Sequence, residues 1–330
     1  MTVLTAADVT VVIPTYDRRE RLHRVLAALA RQADVGFEVV VVSDGSTDGT
    51  DEYLRSADAP LAVVAERQAN AGPAAARNLG VQLASRELLI FIDDDVMPTP
   101  QLVGAHVAAH ERLGDRAVVI GPMLNPPDHV MSPWVRWEQT MLQKQYTALE
   151  QGVYSATARQ FYTGNASVRR EHVLRAGGFD TSLRRAEDVE LAFRLQDHGL
   201  AFAYEPRAVG LHYAERSFAA WLEIAAAYGR NDVMFARDRG HADVYDWIAS
   251  NYRSRHALIR AMTRVCVGRA RATNVMGHAL RGTAAAGHAV RLETVSRTAL
   301  SGIYNVAYYR GVADELGGPD ELWKILQRST

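Results

Sequence analysis

Cysteine is nearly absent. Cys266 stands alone in 330 residues, which excludes an internal disulfide and points to a reducing compartment. No apolar run approaches the length of a membrane-crossing helix, and residues 1–8 lack the basic start and apolar core of a secretory leader. Neither sign of charge is in excess: Lys and Arg total 37 against 38 for Asp and Glu, so no global charge draws the chain to nucleic acid. What remains is a globular composition, 48% apolar and 23% charged, long enough for one large domain or a domain with an extension. The expectation is a soluble, cytoplasmic protein.

Residues 1–121 alternate strand-like and helix-like runs. Strands are predicted at 9–13, 37–42, 61–65, 88–92 and 117–120, and helices at 20–30, 50–55, 73–83 and 101–112. That alternation argues an α/β fold with a doubly wound, mostly parallel sheet. After Gly121 the rhythm breaks: a loop at Asn125-Pro126-Pro127, helices at 133–149 and 189–195, a turn at Thr163-Gly164-Asn165 and a strand-like run at 208–213. From about residue 216 the pattern is helical. The expected division is therefore 1–215, comprising halves 1–121 and 122–215, followed by a helical extension, 216–330.

Polar motifs gather where the α/β logic places strand ends. Asp93-Asp94-Asp95 closes the bulky run of residues 88–92. Three ionised carboxylates cannot be buried unpaired, so they meet either water or a cation and donors in a crevice. Thr15-Tyr16-Asp17-Arg18 leaves the first strand, and Asp44 follows the second inside Ser43-Asp44-Gly45-Ser46. Asn70-Ala71-Gly72-Pro73 opens a helix that carries Arg77, and its free N–H groups suit an anion. Each motif has an ordinary reading as a cap or turn; their joint occurrence favours a metal-assisted phosphate site.

Over residues 9–213 these segments resemble the family-two inverting glycosyltransferases, GT-A enzymes that use nucleotide-sugar donors. The resemblance implies that Thr15 and Tyr16, with neighbouring Asp17 and Arg18, line the base pocket, and that Asp44 accepts the uracil N–H. It places Asn70 and Gly72 beside the donor, Arg77 on the base or a phosphate, and Asp93 on the ribose hydroxyls. Asp95 becomes the metal carboxylate for Mn²⁺ or Mg²⁺, with Asp94 the middle residue of Asp-x-Asp. In Glu187-Asp188, at a helix start, Asp188 resembles the general base and Glu187 its acceptor-binding neighbour. Gly164 and Asn165 would approach the sugar and acceptor, and His212 lies where related enzymes can supply a further metal ligand.

The partners implied are a nucleotide sugar, UDP-linked by the Asp44 reading, and a carbohydrate, lipid-linked, peptide or small-molecule acceptor, with no nucleic acid. Trp134, Trp137 and Met141 share a helical face, read mainly as core, although Trp134 could stack on a sugar. Glu190 and Arg194 read as a helix-surface ion pair. Alternatives are a retaining GT-A transferase, a non-catalytic nucleotide-sugar-binding scaffold and a sugar-phosphate nucleotidyltransferase. The last would need a Gly-rich basic loop after the first strand, which Ile13-Pro14-Thr15 does not supply.

Residues 251–310 hold ten arginines and a single acidic residue, Glu293. Arg253, Arg260, Arg264 and Arg271 fall within about 40° of one another on a continuous helix, with Leu258, Met262, Val265 and Cys266 across much of the other side. That pattern suggests peripheral contact with the inner face of a membrane through basic helices, or a solvated bundle face. A near-repeat, Gly277-His278-Ala279-Leu280-Arg281 and Gly287-His288-Ala289-Val290-Arg291, is too short to indicate a solenoid.

Overall fold

The computed structural model describes residues 3–56, 58–289 and 292–327. Val290 and Arg291, at the end of the second near-repeat, lie outside the described residues. The chain forms two compact units: residues 1–129 with 141–214, and residues 130–140 with 215–330.

In the first unit the elements run β1 (Val9–Thr15), α1 (Arg19–Leu29), β2 (Glu38–Ser43), α2 (Thr50–Arg55), β3 (Val64–Arg67), α3 (Pro73–Leu83) and β4 (Leu88–Ile92). Then follow β5 (Val96–Pro98), α4 (Leu102–Leu113), β6 (Ala117–Ile120), β7 (Met123–Leu124), α5 (Pro133–Glu150) and β8 (Asn165–Arg169). The unit closes with α6 (Arg170–Arg175), α7 (Glu187–Asp197), β9 (Ala201–Tyr204) and β10 (Gly210–His212). The first turns of α5 count with the second unit.

Seven strands form the main sheet in the order β3-β2-β1-β4-β8-β6-β9. All neighbours are parallel except β8, which runs antiparallel to both β4 and β6. Continuous apolar strands suit this position because both faces are covered. Val39 and Val41 pack with α1 residues Leu22, Val25 and Leu26, whereas Val40 and Val42 pack with Ala76 and Leu79 of α3. The order reverses between β1 and β4, so the carboxyl ends of those strands open a crevice at a topological switch point.

Four elements match the sequence reading at both ends: α2, α3, β4 and β6. The strand expected at 61–65 lies instead at Val64–Arg67. It is an exposed edge, and Leu61 and Val63 pack on the core just before it. The turn at Thr163-Gly164 is present, but Asn165 begins the buried strand β8. A smaller sheet, β5-β10-β7, has its central strand β10 within the run expected at 208–213, but β5 and β7 were not anticipated.

In the second unit α8 (Phe218–Asp238), α9 (Asp243–Ser254), α10 (Ala257–Cys266), α11 (Ala270–Ala289), α12 (Glu293–Leu316) and α13 (Pro319–Leu326) pack together. Gly229 of α8 and Gly311 of α12 let the two backbones touch, since a Cβ on either would strike main-chain atoms of the other helix. Tyr308 Oη donates to buried Asp232 across the same seam at 2.6 Å.

The arginine stripe does not survive as one helix. Arg253 is on α9, Arg260 and Arg264 are on α10 and Arg271 is on α11, because the chain breaks at Arg255 and Val267-Gly268. Nor does the apolar side hold together: Ile259, Met262, Thr263 and Cys266 are buried, while Leu258 and Val265 are exposed. Among the described residues, no helix is long and apolar enough to cross a membrane.

Candidate active site

The crevice at the ends of β1 and β4 is built by its own side chains. Thr15 Oγ1 donates to Asp94 Oδ2 at 2.8 Å across the switch point. Thr15 is buried, and its hydroxyl is committed to Asp94. Arg18 reaches the same cluster, donating to Asp94 at 2.8 Å and Asp95 at 3.2 Å. Burial, partly offset by Arg18, together with the neighbouring Asp95 charge pushes Asp94 up to about 6. Tyr16 is exposed and available to a ligand.

The second strand end is stapled to the first. Asp17 sits in the left-handed region at φ 51° and accepts from the Thr47 N–H at 2.6 Å, while its own N–H donates to Ser46 Oγ at 3.1 Å. Asp44 Oδ1 accepts from Gln68 Nε2 and the Ala71 N–H, and Oδ2 accepts from the Gly72 N–H, at 2.7–2.8 Å. The Asp44 carboxylate therefore shapes the Asn70–Gly72 turn, and Oδ2 keeps an acceptor position for an outside N–H. Gly72, at φ 90°, precedes Pro73 at the start of α3.

Arg77 is almost fully enclosed and bridges two elements. Its Nη2 donates to Asp93 Oδ1 at 2.7 Å and its Nη1 to Glu187 Oε1 at 2.8 Å. Burial alone would lower its pKa, but Asp93, Glu187 and Asp188 hold it raised. Arg77 thus joins the carboxyl end of β4 to the start of α7, with both terminal nitrogens engaged by carboxylates. Its guanidinium also lies 5.9 Å from the centre of the Phe179 ring.

Asn78, which the sequence reading passed over, fastens the adjacent Gly177-Gly178-Phe179 segment. Its amide pairs both ways with the Phe179 backbone, at 2.8 and 2.7 Å. A helix residue one place after Arg77, facing a glycine pair a hundred positions away, leaves no local signal. Arg194 closes the same segment from α7: it donates to the Ala176 and Gly178 carbonyls and to Glu190, which is buried. The Glu190–Arg194 pair is therefore an internal brace and not the surface pair expected.

Ala186, immediately before Glu187, holds φ 59°, a left-handed geometry that costs a residue with a Cβ about 1–2 kcal/mol. That bend presents Glu187 and Asp188 at the first turn of α7. Burial, then the like charge of Glu187, pushes Asp188 up to about 7, with Arg77 and the Val189 N–H opposing. A carboxylate titrating there is matched to base work near neutral pH.

The small sheet brings the two metal candidates together. β10 pairs with β5 so that His212 faces Val96, and Tyr213 N–H donates to the Asp95 carbonyl at 2.9 Å. His212 Nε2 then lies 3.6 Å from Asp95 Oδ1. Two ligands bound at about 2.1 Å to one ion sit roughly 3–3.5 Å apart, so this pair fits a single divalent cation. Imidazole with carboxylate suits Mn²⁺. Among the described residues no set of three or more His, Cys, Asp and Glu could close around an ion. A protein share of two ligands fits a cation completed by phosphate oxygens and water.

Gly164 has a steric reason to be glycine: a Cβ would lie 2.7 Å from Met123 Sδ and 3.2 Å from Asp93 Oδ2. Asn165 is not open to a ligand. It is buried, its amide N–H₂ donates to the Pro122 and Ala208 carbonyls, and its Oδ1 bonds His106 Nε2 at 3.0 Å. It positions the connections that lead to β7 and β10. Trp134 belongs to the second unit, where its indole N–H donates to the Arg216 carbonyl and its ring packs edge-on against Phe218.

The profile of Glycosyl transferase family 2 matches residues 10–188, and the chain belongs to that family. Validoxylamine A glucosyltransferase of Streptomyces hygroscopicus subsp. limoneus is 35% identical over 232 residues, covering 61% of this chain and 51% of that protein. Pre-mycofactocin glycosyltransferase of Mycobacterium tuberculosis (strain CDC 1551 / Oshkosh) is 28% identical over 225 residues, covering 67% and 46%. The chain thus spans about half the length of these curated relatives.

Among solved structures, the mannosyltransferase PcManGT from Pyrobaculum calidifontis, in complex with GDP-Man and Mn²⁺, shares the fold. Its TM-score is 0.62 at 21% identity, over 92% of this chain and 86% of that one. S. aureus TarS 1-349 in complex with UDP-GlcNAc gives 0.56 at 16% identity, over 94% and 92%. The fold is GT-A.

Proposed function

We propose that the protein is a metal-dependent inverting glycosyltransferase that moves a hexosyl or N-acetylhexosaminyl group from a UDP-sugar to an acceptor hydroxyl. The observation that carries this reading is the Arg77 bridge. It ties Asp93, at the donor end of β4, to Glu187, the neighbour of a carboxylate whose pKa is raised to about 7.

Tyr16 offers its ring to the base, and the free acceptor position of Asp44 suits the imide N–H of uracil. The Asn70–Gly72 turn lies beside it, and Asp93 accepts from the ribose hydroxyls. Asp95 and His212 would hold Mn²⁺ or Mg²⁺, which when bound supplies Lewis acidity and neutralises the departing diphosphate. Asp188 takes the acceptor proton as the new glycosidic bond forms, and Glu187 orients the acceptor. The breaking bond's electron pair leaves with the nucleoside diphosphate. The family match, the glucosyl and mannosyl names of the relatives and the UDP-GlcNAc complex of TarS support this chemistry.

The test pairs two assays on the full chain. UDP- and GDP-sugars are screened for binding by thermal shift with and without Mn²⁺, and release of the nucleoside diphosphate is then followed. Metal-dependent binding of a UDP-sugar with turnover is the expected result. His212→Ala should raise the Mn²⁺ needed by about tenfold or more. Turnover that ignores Mn²⁺ and His212 would remove the metal from the mechanism; preference for a GDP-sugar would overturn the UDP assignment.

A further inference from the structure

The second unit contains a cleft lined by none of the residues of the crevice at β1 and β4. It is lined from α8 by Phe218 and Leu222, from α11 by Met276, Gly277 and Leu280, and from α12 by Ile303, Val306 and Ala307, with a volume of about 220 Å³. An apolar cavity of about 150 Å³ already takes a benzene molecule. The α12 side chains are buried, so the floor is aliphatic. Thr273 at the edge has its hydroxyl committed to the Cys266 and Arg269 carbonyls.

The mouth is cationic. Arg281 and Arg310 both line the cleft and are exposed. The Arg281 guanidinium is held 4.7 Å over the Phe218 ring, a cation–π contact that fixes it at the opening. Among the described residues neither arginine has an acidic partner, and residues 251–310 carry ten arginines against one glutamate.

Gly277 adds no side chain to the lining. It lies in the middle of α11, where glycine weakens a helix relative to alanine. No backbone need explains it: its φ is not left-handed, and a Cβ there would meet nothing within 4 Å. The missing side chain leaves room in the cleft.

We infer that this cleft binds an amphiphile with a single aliphatic chain and a phosphate monoester head, the chain lying on Ile303, Val306 and Ala307 and the head meeting Arg281 and Arg310. Dispersion and burial supply the chain term, and charge-assisted hydrogen bonds supply the head.

The probe is decyl phosphate below its micelle concentration, titrated calorimetrically into the full chain, with decanol and inorganic phosphate as controls. Saturable one-to-one binding is expected, at least about tenfold tighter than decanol. Inorganic phosphate should give no measurable heat. Gly277→Phe should fill the cleft and weaken binding at least about tenfold, and Leu222→Trp is a second plug from the opposite wall. Arg281→Ala with Arg310→Ala should bring decyl phosphate down to the decanol level. Absence of saturable binding, or equal binding by folded plugged variants and wild type, overturns the proposal; equal affinity for decanol and decyl phosphate overturns the anionic head.

Discussion

The two units use arginine in opposite ways. In the α/β unit Arg77 and Arg194 point inward, each shared by two or more acceptors, and half-exposed Arg18 reaches in to Asp94 and Asp95; the three fix loops and helix starts around the crevice. In the helical unit Arg264, Arg271 and Arg281 lie exposed on helices held together by apolar and aromatic contacts. Trp137, Trp221 and Tyr304 form the centre of that packing, with ring centroids 4.8–5.4 Å apart. The lesson is that buried charge is spent on placing reactive groups, while exposed charge leaves the fold indifferent and is free to meet a ligand.

Asp188→Asn attacks the comparison hardest. Transfer should fall by about 10²–10⁴-fold with donor binding retained, because general-base catalysis is worth that much. The raised pKa adds a sign. A carboxyl protonated more readily when folded contributes stability that is fully present below about pH 4 and is lost as pH rises toward its folded value near 7. Asp188→Asn should therefore melt higher than wild type at pH 8 while failing to turn over. Full turnover would remove Asp188 from the base role.

Arg77→Met should destabilise by about 3 kcal/mol in urea unfolding, the lower part of the range for a broken buried pair because Asp93 keeps some solvent. A change below about 0.5 kcal/mol would mean that the bridge is ornamental. Asn165→Ala strands His106 and the Pro122 and Ala208 carbonyls and should cost about 2 kcal/mol. In wild type, kcat should fall as pH drops below about 7, since Asp188 must be ionised to accept a proton; a flat profile between pH 5 and 8 would contradict that. Smallest of all, Arg260→Gln with Arg264→Gln should change stability by no more than about 0.5 kcal/mol. A larger loss would show that the helical unit also depends on its arginines.

In the nucleotide half β1, β2, β4 and β6 were legible because each is a bulky run bounded by turn residues, and the acidic triplet follows one of these buried strands; β3, an exposed edge, was misplaced. Asp44 and Asp95 drew attention as carboxylates at strand ends, whereas the roles expected of Asp188 and His212 came through the family pattern. For Arg77 and Thr15 the sequence could not show that their side chains meet Asp93, Glu187 and Asp94. The strand β8 was not anticipated, and only its first residue fell in the expected turn, because Asn-Ala-Ser-Val-Arg has little bulk and, covered on both faces, no alternation. Without β8 the fate of the Asn165 amide could not be foreseen. The arginine stripe misled because a regular spacing was assumed to continue through Gly268.

Arg18 and Arg21 give the crevice a lodger of its own, their guanidinium groups standing 3.2 and 3.8 Å from Asp95 Oδ2. Under the proposed function, a divalent ion held by Asp95 and His212 would have to compete with these two tethered cations. Its grip would be the difference between two attractions, and a displaced Arg18, half out in solvent on a flexible stem, would be free to meet a diphosphate. Occupancy by metal alone should accordingly be weak, and metal and nucleotide should strengthen each other's hold.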